Sequence, residues 1–110
     1  MIARKLVSNV NEAADFLSVL GNSKRLLIMS NLLAGELSVG AIAERVSLSQ
    51  SALSQHLAKL RSARLVETRR DRQMIYYSCR SSAVARLFHT LDGIFEDAED
   101  SRSRLATAAS

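Results

Sequence analysis

The apolar residues of the first sixty positions recur at helical spacing, and polar residues divide them into four segments. The four predicted helices span residues 11–20, 23–33, 39–46 and 49–62. Asn22 and Ser38 stand directly before the second and third helices and Ser49 begins the fourth, and all three are residue types that favour the N-cap position. Because only Ser47 and Leu48 separate the third helix from the cap of the fourth, these two helices are predicted to form a helix-turn-helix.

From residue 65 onward the apolar pattern changes from helical to alternating. Residues 65–70 and 73–78 are rich in β-branched and aromatic side chains and are predicted strands, with Asp71 and Arg72 as the turn between them. A last apolar stripe at helical spacing begins near Ser82 and predicts a helix that ends near residue 96. The predicted fold class is mainly α with a β-hairpin wing: a winged helix-turn-helix of four helices, two strands and a fifth helix.

The helix predicted over residues 49–62 has an apolar back of leucines and a polar front. Short serine side chains at a helix start allow its backbone N–H groups to approach a phosphate. The amide of Gln55 matches the N6/N7 edge of adenine in the DNA major groove, and His56 and Lys59 can reach a base or a phosphate. We therefore predict DNA contacts from Ser49, Gln50, Ser51, Ser54, Gln55, His56 and Lys59. The alternative is a polar helix face that is simply solvated.

Positive charge is concentrated in the same part of the chain. Residues 45–80 contain eight basic and two acidic residues, whereas the rest of the chain is slightly acidic. Such a basic block is typical of a surface that binds a polyanion, although a solvated basic surface has the same composition. Arg69, Arg70 and Arg72 lie at the predicted hairpin tip, where arginine can hold phosphates or enter the minor groove.

The first and last predicted helices carry more apolar surface than a winged domain of this size needs for its core. The predicted dimer interface comprises Phe16, Leu17, Leu20, Leu87, Phe88, Leu91, Ile94 and Phe95. A twofold dimer would place two recognition helices about 34–36 Å apart on one face of DNA. The alternative is a monomer whose last helix folds back over the core. We expect an N-terminal arm at residues 1–9, a DNA-binding and dimerisation domain at residues 10–96, and a flexible tail at residues 97–110.

Composition narrows the class of protein further. A length of 110 residues suits one domain, and no stretch has the roughly 18–20 apolar residues that span a bilayer. The first residues lack an export-signal pattern, and a single cysteine, Cys79, excludes an internal disulfide. We expect a cytoplasmic, nucleoid-associated protein with no membrane partner. The sequence shows no nucleophile–base pair, glycine-rich phosphate loop or metal-ligand set, so we do not expect an enzyme.

From residue 14 to about residue 95 the chain resembles the ArsR/SmtB-type winged helix-turn-helix repressors. The resemblance lies in residues 20–26 (LGNSKRL), 35–40 (GELSVG), 48–57 (LSQSALSQHL), 68–71 (TRRD) and 75–78 (IYYS). Within this family the chain is most similar to the rhizobial nodulation-gene repressors, followed by the biofilm-growth repressors. The resemblance implies a homodimer that binds inverted-repeat operators in double-stranded DNA and represses transcription.

The metal-sensing sites of similar proteins do not match this chain. Arsenical and heavy-metal sensors of the family would have thiolates where Ser38 and Gly40 stand. Its zinc sensors use carboxylate and imidazole ligands along the last helix, where this chain has His89, Asp92 and Glu96 but no second histidine. We therefore predict no metal and no other cofactor.

A redox switch is also not predicted. Thiol-switch members of the family have one cysteine near Ser30 and another in the last helix, and both are missing here. Cys79 can be oxidised in principle, but we expect it to be a small buried apolar residue. Two alternatives stay open: an effector- or redox-controlled derepressor of the same fold, and a winged-helix module that binds a protein partner.

Overall fold

The computed structural model describes residues 3–109, with side chains described for residues 3–102. It divides into two units, one ending at Arg80 and one beginning at Ser81. The first unit contains α1 (Arg4–Ser8), α2 (Val10–Leu20), α3 (Ser23–Ala34), β1 (Leu37–Ser38), α4 (Val39–Val46), α5 (Gln50–Ser62), β2 (Glu67–Asp71) and β3 (Met74–Ser78). The second unit is the single helix α6 (Ser82–Ala109). The mainly helical architecture with a β-hairpin wing is therefore confirmed.

The three predicted N-caps are confirmed. Asn22 Oδ1 accepts hydrogen bonds from the backbone N–H groups of Lys24 and Arg25, at 3.0 and 3.1 Å. The Oγ atoms of Ser38 and Ser49 each accept one backbone N–H from three residues further on, both at 3.2 Å. Each bond satisfies a donor that would otherwise lack a helical partner, and this is why α3, α4 and α5 begin where the sequence predicts.

Strand β3 lies in the middle of a three-stranded antiparallel sheet, in the order β1-β3-β2. Leu37 and Ser38 of β1 pair with Tyr77 and Tyr76 of β3. The two residues of β1 are too few to show an alternating pattern, so this strand is not predicted from the sequence. Since β1 leads directly into α4, this pairing joins the hairpin to the helix-turn-helix.

The hairpin turn differs from the prediction by one residue. Asp71 pairs with Met74, so the loop consists of Arg72 and Gln73 rather than of Asp71 and Arg72. Arg72 has a positive φ of 58°, as the first loop residue of a tight two-residue hairpin often has. The predicted turn rests on the turn propensity of Asp71. The strand register depends instead on which face of the strand is buried, and in β3 the buried side chain is Tyr77, which is 4% exposed.

The core of the first unit is apolar and draws on α3, α4, α5 and the sheet. Its most buried members include Ile28, Met29, Leu32, Ile42, Val46, Leu53, Leu57, Leu60 and Tyr77. The leucines predicted as the back of the fourth helix thus lie in the core. The packing of α5 leaves its opposite side free to meet a ligand.

Near both ends of the described residues the structure has helix that the sequence did not predict. Residues 4–8, expected within an N-terminal arm, form α1, and α6 continues past residue 96 to Ala109, where a flexible tail was expected. The residues after 96 include neither glycine nor proline, so nothing in their sequence stops the helix. The helix end predicted near residue 96 is therefore wrong.

The residues predicted for a dimer interface are not equally exposed. Leu20 is only 2% exposed and so has little surface left to bury against a second copy; its place in the interface stays a prediction. Leu17 on α2 is 55% exposed, and on α6 Ile94 and Phe95 are 54% and 66% exposed. The remaining four residues, Phe16, Leu87, Phe88 and Leu91, are half-buried.

Candidate nucleic-acid interface

Helix α5 exposes the polar front that its sequence predicts. The exposed residues are Ser49, Gln50, Ser51, Ser54, Gln55 and Lys59. The helix contains no acidic residue, and its last turn carries the basic residues Lys59 and Arg61. Six of the seven predicted contact residues at this helix are therefore open to solvent, on a helix with no acidic side chain of its own, and their contact with DNA stays a prediction.

The start of α5 is held by the turn that precedes it. Ser47 has a positive φ of 56°, and the N–H of Leu48 donates to the carbonyl of Ala43 at 3.0 Å, which ends α4 in a left-handed cap. Ser49 then caps α5, and its Oγ lies 3.4 Å from the Oγ of Ser51. The N-terminus of α5, with its partial positive charge and small side chains, can thus be approached closely by an anion.

His56 differs from the other predicted contact residues because it is half-buried and already has a partner. Its Nδ1 lies 3.2 Å from the NH1 of Arg25, a residue of α3 that is 8% exposed and whose Nε donates to the carbonyl of Val19. A guanidinium group can only donate, so His56 Nδ1 accepts and the ring proton is on Nε2. His56 therefore lies at the edge of the front, turned toward α3, and presents a donor only.

Burial and the nearby charge of Arg25 lower the pKa of His56. The folded protein then binds fewer protons than the unfolded chain near pH ~6.5, the pKa of an ordinary histidine, so stability falls as pH falls through that value. We expect the urea midpoint of unfolding to decrease more on acidification in the wild type than in His56→Gln, whose amide oxygen still accepts from Arg25. Equal curves for wild type and His56→Gln would contradict this.

The tip of the wing carries two exposed arginines. Arg70 and Arg72 are both exposed, and the Nε of Arg70 donates to the backbone carbonyl of Arg72 at 3.2 Å. This bond organises the turn while most of the Arg70 guanidinium donors stay available. Both residues lie at the hairpin tip, as their sequence positions predict, and their contact with phosphates or the minor groove stays a prediction.

The sequence groups Arg69 with Arg70 and Arg72 at the hairpin tip, but in the structure Arg69 already has a partner. Its Nε and NH2 donate to the two carboxylate oxygens of Glu36 at 3.1 and 2.7 Å, and its guanidinium lies 4.6 Å from the ring centre of Tyr76. The hydrogen bond and charge of Arg69 lower the pKa of Glu36, and Glu36 raises the pKa of Arg69. The bidentate pair places Arg69 on the sheet surface, bound to a residue 33 positions earlier in the chain.

Two further contacts that the sequence did not reveal orient α5 and its neighbours. The NH1 of Arg61, near the end of α5, donates to the hydroxyl of the buried Tyr77 in β3. Lys24 Nζ donates to the carbonyl of Val46 at 2.6 Å, at the C-terminus of α4. The first contact ties α5 to β3 of the wing, and the second ties α3 to the helix-turn-helix.

No metal site emerges from the side chains described for residues 3–102. No group of three or more His, Cys, Asp or Glu side chains among them lies in a position to hold a metal ion. Ser38 caps α4 through its hydroxyl, and Gly40 offers no side-chain donor, so neither position supplies a soft ligand. Within the described residues, no helix is long and apolar enough to cross a membrane.

Most of this region matches a known protein family. Residues 22–68, from the N-cap of α3 into β2, match the model of the family described as "Bacterial regulatory protein, arsR family". Nodulation protein NolR of Rhizobium meliloti is 56% identical over 88 residues, which cover 80% of this chain and 72% of NolR.

Two solved structures extend the likeness to the fold. The crystal structure of the transcriptional repressor BigR from Xylella fastidiosa has a TM-score of 0.81 at 35% identity, covering 86% of this chain and 97% of BigR. The solution structure of a homodimeric winged helix-turn-helix DNA-binding domain from Mycobacterium bovis, described as a possible ArsR-family transcriptional regulator, has a TM-score of 0.75 at 31% identity, covering 91% and 92% of the two chains. The chain therefore belongs to the arsR family of bacterial regulatory proteins, with a winged helix-turn-helix fold and a relative among the rhizobial nodulation proteins.

Proposed function

We propose that this regulator is a transcriptional repressor that binds an inverted-repeat operator as a homodimer and has no metal switch. The observation that carries the proposal is the exposed, acid-free front of α5 beside a wing whose tip bears Arg70 and Arg72. A front of this kind fits the major groove, and basic residues beside it fit the phosphate backbone. Such a protein acts where the chromosome is, in the cytoplasm and in contact with the nucleoid.

The side chains of the front divide into two roles. Ser51 and Gln55 lie in the part of α5 that would face base edges, where the Gln55 amide can donate to and accept from adenine. Ser49 and Lys59 flank them and are placed as phosphate contacts. Gln50 and Ser54 are exposed on the same helix and complete the predicted surface. His56 would contribute a donor from Nε2, which suits an acceptor on a base or a phosphate.

The proposed dimer rests on apolar side chains that a monomer leaves in water. Val10 and Leu17 lie two turns apart on α2 and are 56% and 55% exposed. Ile94 and Phe95 are neighbours on α6 and are 54% and 66% exposed. Burial of such residues against a second copy is favourable at roughly 25 cal/mol per Å² of apolar surface. The similar domain from Mycobacterium bovis is described as homodimeric, which agrees with this proposal.

The salt dependence of DNA binding tests the proposal directly. A protein that neutralises several phosphates releases counterions, so we expect log affinity to fall steeply with log salt concentration. Arg70→Ala should weaken binding to all sequences about equally and reduce the slope by about 0.9 for each phosphate contact that is lost. Arg86→Ala removes the same charge from α6 and should keep the slope.

A slope near zero for the wild type would exclude DNA as the ligand. Competition with unrelated duplex DNA tests the alternative of a protein-binding module, since such DNA would not displace that module from its protein partner. Equal loss of slope in Arg70→Ala and Arg86→Ala would show that Arg70 makes no specific phosphate contact.

A further inference from the structure

One row of side chains crosses the outer face of the three-stranded sheet. Arg69 of β2 stands directly opposite Tyr76 of the central strand, and Ser38 of β1 stands opposite Tyr76 on the other side. Glu36 lies two residues before Ser38. The Arg69 side chain therefore passes over the Tyr76 ring and reaches Glu36 on the far side of the sheet.

The contact fixes orientation as well as distance. Both carboxylate oxygens of Glu36 are engaged by two N–H groups of one planar guanidinium, which is stacked 4.6 Å from the centre of the Tyr76 ring. Forked pairs of this kind constrain the relative angle of the two groups. The side chains of Arg69 and Glu36 are 53% and 35% exposed, so the pair adds little to global stability.

The two ends of this contact belong to the parts that would meet DNA. Glu36 precedes β1, which runs directly into α4 of the helix-turn-helix, and Arg69 is followed in β2 by Arg70. Successive side chains of a strand point to opposite faces, so Arg70 is on the other face from Arg69. The Arg69 charge is already neutralised by Glu36, and a DNA phosphate at this position would meet a carboxylate.

We propose that Glu36, Arg69 and Tyr76 form a clamp that holds the wing at a fixed angle to α5, so that Arg70 and Arg72 meet the DNA backbone while Arg69 does not. This proposal rests on the proposed function, because positioning matters only if the wing binds DNA. Glu36 and Arg69 are then positioning residues, and Arg70 and Arg72 are the contacts that they position.

The direction of the affinity change in one variant distinguishes the clamp from simple electrostatics. Glu36→Gln removes a negative charge close to the wing, so electrostatics alone predicts tighter DNA binding. The clamp predicts weaker operator binding, by about three- to tenfold, because the forked pair is lost. Glu67→Gln is the matched control, since it removes the same charge from an exposed position of β2 on the same face, and its binding should be unchanged or tighter. Operator affinity of Glu36→Gln equal to or above that of the wild type would overturn the proposal.

A double-mutant cycle tests whether Arg69 acts through Glu36. Arg69→Gln should weaken operator binding in the wild type and should have little further effect in Glu36→Gln. If Arg69→Gln weakens binding equally in both backgrounds, Arg69 acts independently, as a direct phosphate contact would, and the clamp is wrong.

Amide hydrogen exchange of the DNA-free protein tests the clamp independently of the proposed DNA binding. The clamp predicts faster exchange of the β2 amides in Glu36→Gln than in Glu67→Gln, with the exchange of core helix α3 unchanged. Failure of the wild type to bind any DNA would overturn the proposed function, whereas unchanged β2 exchange would overturn the clamp alone.

Discussion

Replacing Leu17 with lysine is expected to convert the protein into a monomer and to weaken operator binding by about a hundredfold or more. Leu17 is 55% exposed on α2, so the charge costs little in the isolated protomer. In a dimer the ammonium group would have to leave water and enter an apolar interface, which is unfavourable. Operator affinity falls because two linked half-site contacts gain about 10²–10⁴ over either alone, and a monomer loses this gain.

Leu27→Lys provides the matched control for this substitution. Leu27 is a leucine of α3 with a comparable exposure of 48%, and it lies outside the predicted dimer interface. We expect Leu27→Lys to keep the mass of a dimer in analytical ultracentrifugation and Leu17→Lys to sediment as a monomer at the same concentration. A monomeric wild type, or a dimeric Leu17→Lys with full operator affinity, would contradict the proposed interface on α2.

Replacing Gln55 with alanine is expected to lower operator affinity by about tenfold or more while leaving affinity for unrelated DNA nearly unchanged. The side chain is exposed, and helical spacing puts it on the side of α5 away from the buried leucines. A bidentate amide–adenine contact is worth about 1–3 kcal/mol of discrimination, and a dimer loses one such contact in each half-site. The measurement is the ratio of operator affinity to non-specific affinity at one salt concentration.

Ser62→Ala is the control for the Gln55 substitution. Ser62 is exposed at the C-terminal end of the same helix, away from its DNA-approaching N-terminus. It should retain the wild-type ratio of specific to non-specific affinity. If Gln55→Ala instead weakens operator and unrelated DNA by the same factor, Gln55 contacts the backbone and the division of α5 into base-reading and phosphate-holding residues is wrong.

The parts of the fold that the sequence predicts correctly depend on local interactions. Asn22, Ser38 and Ser49 cap their helices through bonds that span two or three residues, and these bonds are visible as a sequence pattern. The leucine back of α5 is likewise set by helical spacing alone. Local patterns of this kind are enough to predict the order of the helices and the wing.

The features that the sequence does not predict depend on contacts between distant residues. Arg69 binds Glu36 across 33 positions, and Arg25 binds His56 across 31, so neither pairing leaves a periodic signal. Leu20 belongs to the same apolar stripe as Leu17, yet only packing decides that Leu20 is buried and Leu17 is exposed. Three arginines that look alike at the hairpin tip therefore differ in availability once the sheet is formed.

Selection of bound sequences from a random pool of duplex DNA is the most direct test of the central claim. We expect the purified protein to enrich an inverted repeat whose half-site centres are separated by about 10–10.5 base pairs or a multiple of it. Each half-site should contain an adenine whose preference is lost in Gln55→Ala. Enrichment of no sequence, or of a single half-site without symmetry, would contradict a dimeric regulator that reads DNA through α5.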